Sequence, residues 1–111
     1  MFDESIVRSA WNDSEGEFYF AISDVVKFIT KSKDIKQYIK KLRRYNADFA
    51  LVWHRVATPL RMKTAGGMQP IYCASRDGIS DIVEALPSRK AAPFKKGASD
   101  LPFNSAKNTV L

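Results

Sequence analysis

The sequence predicts an α+β fold, a small antiparallel sheet of hairpins with three to four packed helices. Two runs with strand-like alternation flank a cluster of turn formers near the start. A second pair of strands meets at Gly66-Gly67. Between and after these hairpins, apolar residues recur at helical spacing. Helices that follow hairpins in this order pack on an antiparallel sheet.

The first strand is expected over Ser5 to Trp11 and the second over Glu17 to Ala21, with Asn12-Asp13-Ser14-Glu15-Gly16 as the turn. Phe18, Phe20 and Ile22 then share one face. Ser23 is the expected N-cap of a first helix, and Asp24 favours its dipole. Val25, Val26, Phe28 and Ile29 supply the apolar side. Thr30-Lys31-Ser32 breaks this helix, and Ser32 is the expected cap of the next. The second helix, about Lys33 to Tyr45, carries Ile35, Tyr38, Ile39 and Leu42 at i, i+3, i+4 and i+7, a single apolar stripe. Asn46-Ala47-Asp48 ends it, and Leu51 to Ala57 reads as a strand. Thr58-Pro59 is a break, since proline lacks an N–H and pushes the preceding residue from the helical region. Strands follow at Leu60 to Thr64 and Gln69 to Ala74, joined through Ala65-Gly66-Gly67-Met68. Ser75 caps a third helix to Leu86, with Ile79, Ile82, Val83 and Leu86 buried. Pro87-Ser88 stops it. Arg89 to Lys96 is a short basic piece that Pro93 kinks or delays. From Gly97 onward the pattern dissolves into small and polar residues, so one domain is expected over 1–96 and a poorly ordered tail over 97–111.

A chain of 111 residues suffices for one core and not for two. Hydrophobic residues form 45% of it, enough to bury a core. No apolar run approaches the ~20 residues of a membrane span. Met1-Phe2-Asp3-Glu4 lacks a basic then apolar leader, so no signal peptide is expected. The single cysteine, Cys73, allows no internal disulfide, and a reducing, cytoplasmic location is the simplest expectation.

Catalytic chemistry finds little support, and no enzyme, cofactor or metal site is expected. His54 is the only histidine. It falls beside Trp53 in an expected strand, where a half-buried structural role is expected. Cys73 reads as a small core residue. Ala65-Gly66-Gly67 is too short for a phosphate loop and lacks the following lysine and hydroxyl. The acidic residues form no pair set for proton transfer.

The basic residues are concentrated. Lys27, Lys31, Lys33, Lys36, Lys40, Lys41, Arg43 and Arg44 face only Asp34 within their window, so it carries +7 of a chain total of +6. Lys33, Lys36, Lys40 and Arg44 recur at intervals of three and four and are expected to share a flank beside the apolar stripe, widened by Lys41 and Arg43. Like charges so spaced repel, and a polyphosphate relieves that repulsion while releasing counterions. Gln37, on the same helix, is the candidate for base contact. Arg61 and Lys63 on the second hairpin, with Arg89, Lys90, Lys95 and Lys96, are candidate auxiliaries. The bland alternative is a solvated helix face. Membrane-surface binding is disfavoured because the apolar stripe is committed to a core. A helix-turn-helix over the paired helices from Ser23 to Tyr45 is weakly supported, since the turn has no glycine. Trp11, Phe18, Tyr19, Phe20 and Trp53 could stack on single strands, but core and sheet packing is the expected use, with Tyr19 and Tyr72 left open.

Phe20-Ala-Ile-Ser-Asp-Val-Val26, Ile39-Lys-Lys-Leu-Arg-Arg44, Thr58-Pro59, the Gly66-Gly67 hairpin, Ser75-Arg-Asp-Gly-Ile79 and Leu86-Pro-Ser-Arg-Lys-Ala-Ala-Pro-Phe-Lys95 occur in that order. The set resembles the Bro-N domain, in particular the branch seen in damage-inducible protein D and prophage antirepressors, over about Phe2 to Lys96. The last run is the most specific; Arg89 stands where the family has a proline and Ala92 where it has a glutamate. Gly97 takes the place of the family's bulky aromatic. The resemblance implies a DNA-binding module of viral or prophage transcription control, without catalytic residues or cofactor. RNA as a partner and a homodimer stay open. The family's second, variable domain has no room here, so a standalone module or a truncated, inactive remnant is expected. The rival reading is a protein-interaction module that binds a repressor rather than DNA, with Trp53, Tyr72 or Phe103 as contacts.

Overall fold

Strand alternation and turn chemistry build the first hairpin of the computed structural model, which describes residues 7–87. β1 (Ser9–Asn12) pairs antiparallel with β2 (Glu17–Ala21). The Asn12 side chain accepts hydrogen bonds from the Ser14 amide and hydroxyl, and its carbonyl accepts from the Gly16 amide at 2.8 Å. Gly16 sits at φ +65°, where a side chain would be strained. The expected first strand began at Ser5; Ser5 and Ile6 lie outside the described residues.

The chain passes from β2 directly into α1 (Ile22–Thr30). The expected Ser23 cap is not formed: Ala21 occupies that position, with no side-chain cap bond. Burial decides the start, because Ile22, Val25 and Val26 are fully buried and Ile29 nearly so. Asp24 lies in the first turn, as expected, and also pairs with Arg8. Its carboxylate accepts from the Arg8 amide and Nε at 2.9 and 2.8 Å on one oxygen, and from Nη2 at 3.0 Å on the other. That hydrogen-bonded pair ties the strand entering the sheet to the first helix, and holds the Arg8 guanidinium above its ordinary pKa. α1 ends at Lys31, which takes a left-handed conformation (φ 54°) and donates its amide to the Lys27 carbonyl.

α2 (Ile35–Tyr45) is capped by Asp34, whose carboxylate accepts from the Gln37 amide; neither Ser32 as cap nor Lys33 as a helical residue holds. Aspartate directly before the first apolar residue, Ile35, outcompetes the earlier serine. α3 (Ala47–Val56) replaces the strand expected over Leu51 to Ala57. Asn46 does not merely end α2. It also caps α3, accepting from the Phe49 amide at 3.0 Å. Phe49, Val52, Trp53 and Val56 then follow at i, i+3, i+4 and i+7, so tertiary burial overrides the strand preference of the valines and tryptophan.

β3 (Thr58–Thr64) and β4 (Gly67–Ser75) form a second hairpin through Ala65-Gly66, with Gly67 at φ +99°. Pro59 starts no break; it lies in β3, an edge strand in the order β1-β2-β4-β3, where a missing N–H is tolerated. α4 (Arg76–Ala85) is capped by Ser75, as expected, through the Gly78 amide. The architecture is α+β, with a curled four-stranded antiparallel sheet and four helices. One face of the sheet meets the helices in a core that includes Phe20, Val25, Val26, Phe49, Trp53, Ile79 and Ile82. The other face closes on a smaller cluster of Ala21, Met62 and Cys73, edged by Tyr19, Leu60 and Ile71.

Gly78 sets how closely α4 approaches its neighbours. A Cβ there would lie 2.9 Å from the Ala74 Cβ and 3.1 Å from the Val56 Cβ, both fixed to backbone. Gly78→Ala gains about 1 kcal/mol of helix propensity but forces a backbone shift costing roughly 1–3 kcal/mol. A net loss of stability is expected in urea unfolding. A variant as stable as the parent would show that the helix can retreat freely.

Candidate functional site

Capping by Asp34 and burial of Ile39 and Leu42 fix the rotation of α2. At 3.6 residues per turn, Lys36, Lys40, Arg43 and Arg44 fall within roughly 100° of arc, opposite the buried stripe. Gln37 and Lys41 continue that arc. All six side chains are exposed, as is Lys33 in the bend before the helix. Lys33 is therefore exposed ahead of the helix and does not share the helical flank expected of it. None of these residues is ion-paired to a described carboxylate; the salt bridges Arg8–Asp24 and Arg55–Asp81 use cations outside the run.

Arg43 links this face to the rest of the molecule. Its guanidinium lies 4.7 Å from the centre of the Trp53 ring, and Trp53 packs on Tyr72 of β4 at 5.3 Å. Register carries the path onward. Pro59 pairs with Tyr72, Arg61 with Pro70 and Lys63 with Met68. Side chains of directly paired residues share a sheet face, so Tyr72, Arg61 and Lys63 lie on one side of the β3–β4 ribbon. A line of contacts thus joins α2 to Tyr72 through Arg43 and Trp53, and the register puts Arg61 and Lys63 on Tyr72's face of the ribbon. Arg89, Lys90, Lys95 and Lys96, the expected basic piece, lie outside the described residues, as do Gly97 and Phe103.

The expected core and sheet packing holds for Trp53 and Trp11, with Trp53 on a helix rather than in a strand. Trp53 is a helical core residue, 6% exposed, and presents no surface to a partner. Trp11 stacks edge-on against Phe18 and remains half exposed. His54 is neither in a strand nor half-buried; it is exposed on α3, because a residue next to the buried Trp53 points outward on a helix. Sequence reasoning missed Tyr45, 77% exposed at the end of α2 with the Arg44 guanidinium 5.6 Å from its ring. The signal was present: Tyr45 follows the stripe by three residues from Leu42 but lies beyond the last buried turn.

A second surface feature is a groove of about 650 Å³ between α3 and α4, lined by Leu51, Val52, Ala85 and Leu86, by Asp48 and Glu84, and by the ion pair of Arg55 with Asp81 at 2.7 Å. Leu51 is 70% exposed there. Among the described residues no three His, Cys, Asp or Glu side chains are grouped to hold a metal ion, and no helix is long and apolar enough to cross a membrane.

Cys73 is a small core residue. Burial pushes its thiol up to about 12 from an ordinary value near 9, against a smaller opposing pull from Arg8. At pH 8 roughly one molecule in ten thousand then carries a thiolate, the reactive form. Labelling by a thiol reagent at pH 8 is expected to be about a thousandfold slower in the folded protein than in denaturant. The raised folded pKa also means that stability is intact below about pH 9 and falls as pH climbs from about 9 to about 12. Rapid native labelling would place the thiol at the surface.

No protein-family model, curated protein or solved structure matches this chain.

Proposed function

We propose that the chain is a DNA-binding module of a phage- or prophage-type transcriptional regulator, antirepressor-like and of the Bro-N kind, gripping DNA mainly by its phosphates. The observation that carries the reading is the exposed cationic arc of α2, free of described acidic partners. α2 spans about 16 Å, and duplex DNA presents about one charge per 1.7 Å of axis, so the arc meets a dense run of counter-charge. The contacts from Arg43 through Trp53 to Tyr72, with Arg61 and Lys63 on Tyr72's face of the ribbon, support a surface larger than one helix. The binding unit is proposed to span residues 1–96, to act in the cytoplasm, and to need no cofactor or catalytic residue.

The test is a salt titration of the purified chain on random-sequence duplex and single-stranded DNA. With about five phosphates neutralised, log affinity should fall against log salt with a slope of about −4 to −5 on duplex. Binding that is absent at 50 mM salt, or indifferent to salt, refutes the reading.

The α3–α4 groove favours a second reading, a module that binds a repressor protein. A leucine exposed in a groove lined by Val52, Ala85 and Leu86 suits a partner segment with an apolar anchor. Retention of a repressor at high salt, abolished by Leu51→Lys and unaccompanied by DNA retention, would favour it.

A further inference from the structure

We infer that the outward face of the β3–β4 ribbon, bearing Arg61, Lys63 and Met68, enters the major groove of duplex DNA and reads base sequence while α2 holds phosphates. This rests on the DNA-binding reading above and adds the element that discriminates between sequences.

The ribbon has two unlike faces. On one, Met62 and Cys73 are buried and Leu60 and Ile71 half-buried in the small cluster, with Thr64 half-buried and Gln69 exposed nearer the turn. On the other, Pro59, Arg61, Lys63, Met68, Pro70 and Tyr72 are all exposed. The inner cluster makes the ribbon a shaped, supported element rather than a loose flap. Beyond Cys73, β4 has β3 as its only strand neighbour, so a two-stranded ribbon runs on from the sheet for six residue pairs, about 20 Å.

A major groove about 12 Å wide admits a two-stranded ribbon. Charge agrees: no aspartate or glutamate occurs from Thr58 to Ser75. The side chains fit groove edges. Arg61 can donate two parallel hydrogen bonds to guanine O6 and N7, and the Met68 thioether chain suits the thymine methyl. Arg61 gives up little to do so, since its hydrogen bond to the Met68 carbonyl is long, at 3.4 Å. Lys63, nearer the turn, is placed for a phosphate. α2 is less suited to reading bases, because its outward arc is mainly lysine and arginine, with Gln37 alone as an amide.

The experiment selects bound duplexes from a pool with a randomised core of about 20 base pairs, using the full chain and its Arg61→Ala, Arg61→Lys and Lys40→Ala/Arg44→Ala variants. The parent should enrich a motif containing guanine. Arg61→Ala should lose preference at one guanine by at least about tenfold, while its binding to the unselected pool falls less than about eightfold, the share of one phosphate contact at 0.1 M salt. Arg61→Lys, which keeps the charge but not the planar fork, should weaken that preference yet keep the parent's salt slope. Replacing that guanine by 7-deazaguanine should weaken the parent and leave Arg61→Ala unaffected. The same motif with the same enrichment from Arg61→Ala, or indifference of the parent to 7-deazaguanine, would overturn the inference. Retention without any enriched motif would overturn it and leave the DNA-binding reading standing. No retention of any duplex would overturn both.

Discussion

Lys40→Ala/Arg44→Ala should bind random duplex DNA about sixtyfold more weakly than the parent at 0.1 M salt and melt at the same temperature. Each phosphate contact contributes about 0.9 to the salt slope, or roughly eightfold in affinity at 0.1 M. Loss of two contacts therefore flattens a slope of about −4 to −5 by about two. The deficit should shrink as salt rises, because the missing contribution is itself the salt-sensitive one. Stability should be preserved, since both side chains are exposed on the face away from Ile39 and Leu42. Removing like charges even relieves a few tenths of a kcal/mol of repulsion along the helix. A double variant whose slope matches the parent's would remove α2 from the interface, whatever its absolute affinity. Lys33, in the bend before the helix cap, offers a graded comparison, and Lys33→Ala should flatten the slope by no more than about one.

Much of this arrangement is legible in the sequence, for reasons that differ from element to element. The stripe Ile35, Tyr38, Ile39, Leu42 identifies α2 because one helical face alone is apolar, and that same contrast exposes the cations. Ser75 announces α4 because a serine directly precedes an acidic first turn and a clean apolar stripe. The Gly66-Gly67 hairpin is legible because few residue pairs tolerate such a turn. α3 is not legible on the same terms. Its N-cap, Asn46, lies one residue after the end of α2, and a single asparagine serves both helices. Turn formers mark a boundary without saying whether the next element is a helix or a strand. Val52, Trp53 and Val56 favour a strand locally, and only their joint burial against Phe49, β4 and α4 selects the helix.

The site divides along the same line. Exposure of the α2 cations follows from periodicity within one element. Whether Arg61 and Lys63 share their surface depends on which residues pair across β3 and β4 and on which way the sheet curls. Neither is a local property. The link itself, Arg43 on Trp53 on Tyr72, joins residues from three elements, one of which reads locally as a strand. With Trp53 in a strand, its neighbour His54 would have been the residue on the opposite face of a sheet. On a helix, Trp53 turns inward beneath Arg43 and His54 stands in solvent.

That junction makes Trp53 the residue whose truncation should cost most. Trp53→Ala removes a nearly buried indole packed on Phe49 at 6.0 Å and on Tyr72 at 5.3 Å, and removes the ring beneath Arg43. Deletions of this kind cost about 3–5 kcal/mol, and loss of the cation–ring contact adds about 0.5–1 kcal/mol at an exposed guanidinium. For a domain of this size each kcal/mol near the midpoint is worth about 4–8 °C, so a fall in Tm of at least about 15 °C is expected. Since small domains have only about 5–15 kcal/mol in hand, the variant is expected to be partly unfolded at physiological temperature. Trp53→Phe separates architecture from binding. It keeps an aromatic face beneath Arg43 and against Tyr72, should lose roughly 1–2 kcal/mol, and should bind DNA with the parent's salt slope, because the indole itself touches no phosphate. Thermal melts of the two variants beside the parent provide the check. A Trp53→Ala protein that melts within a few degrees of the parent would mean that α2 and the ribbon are not held together through this ring, and the shared surface they form would lose its physical basis.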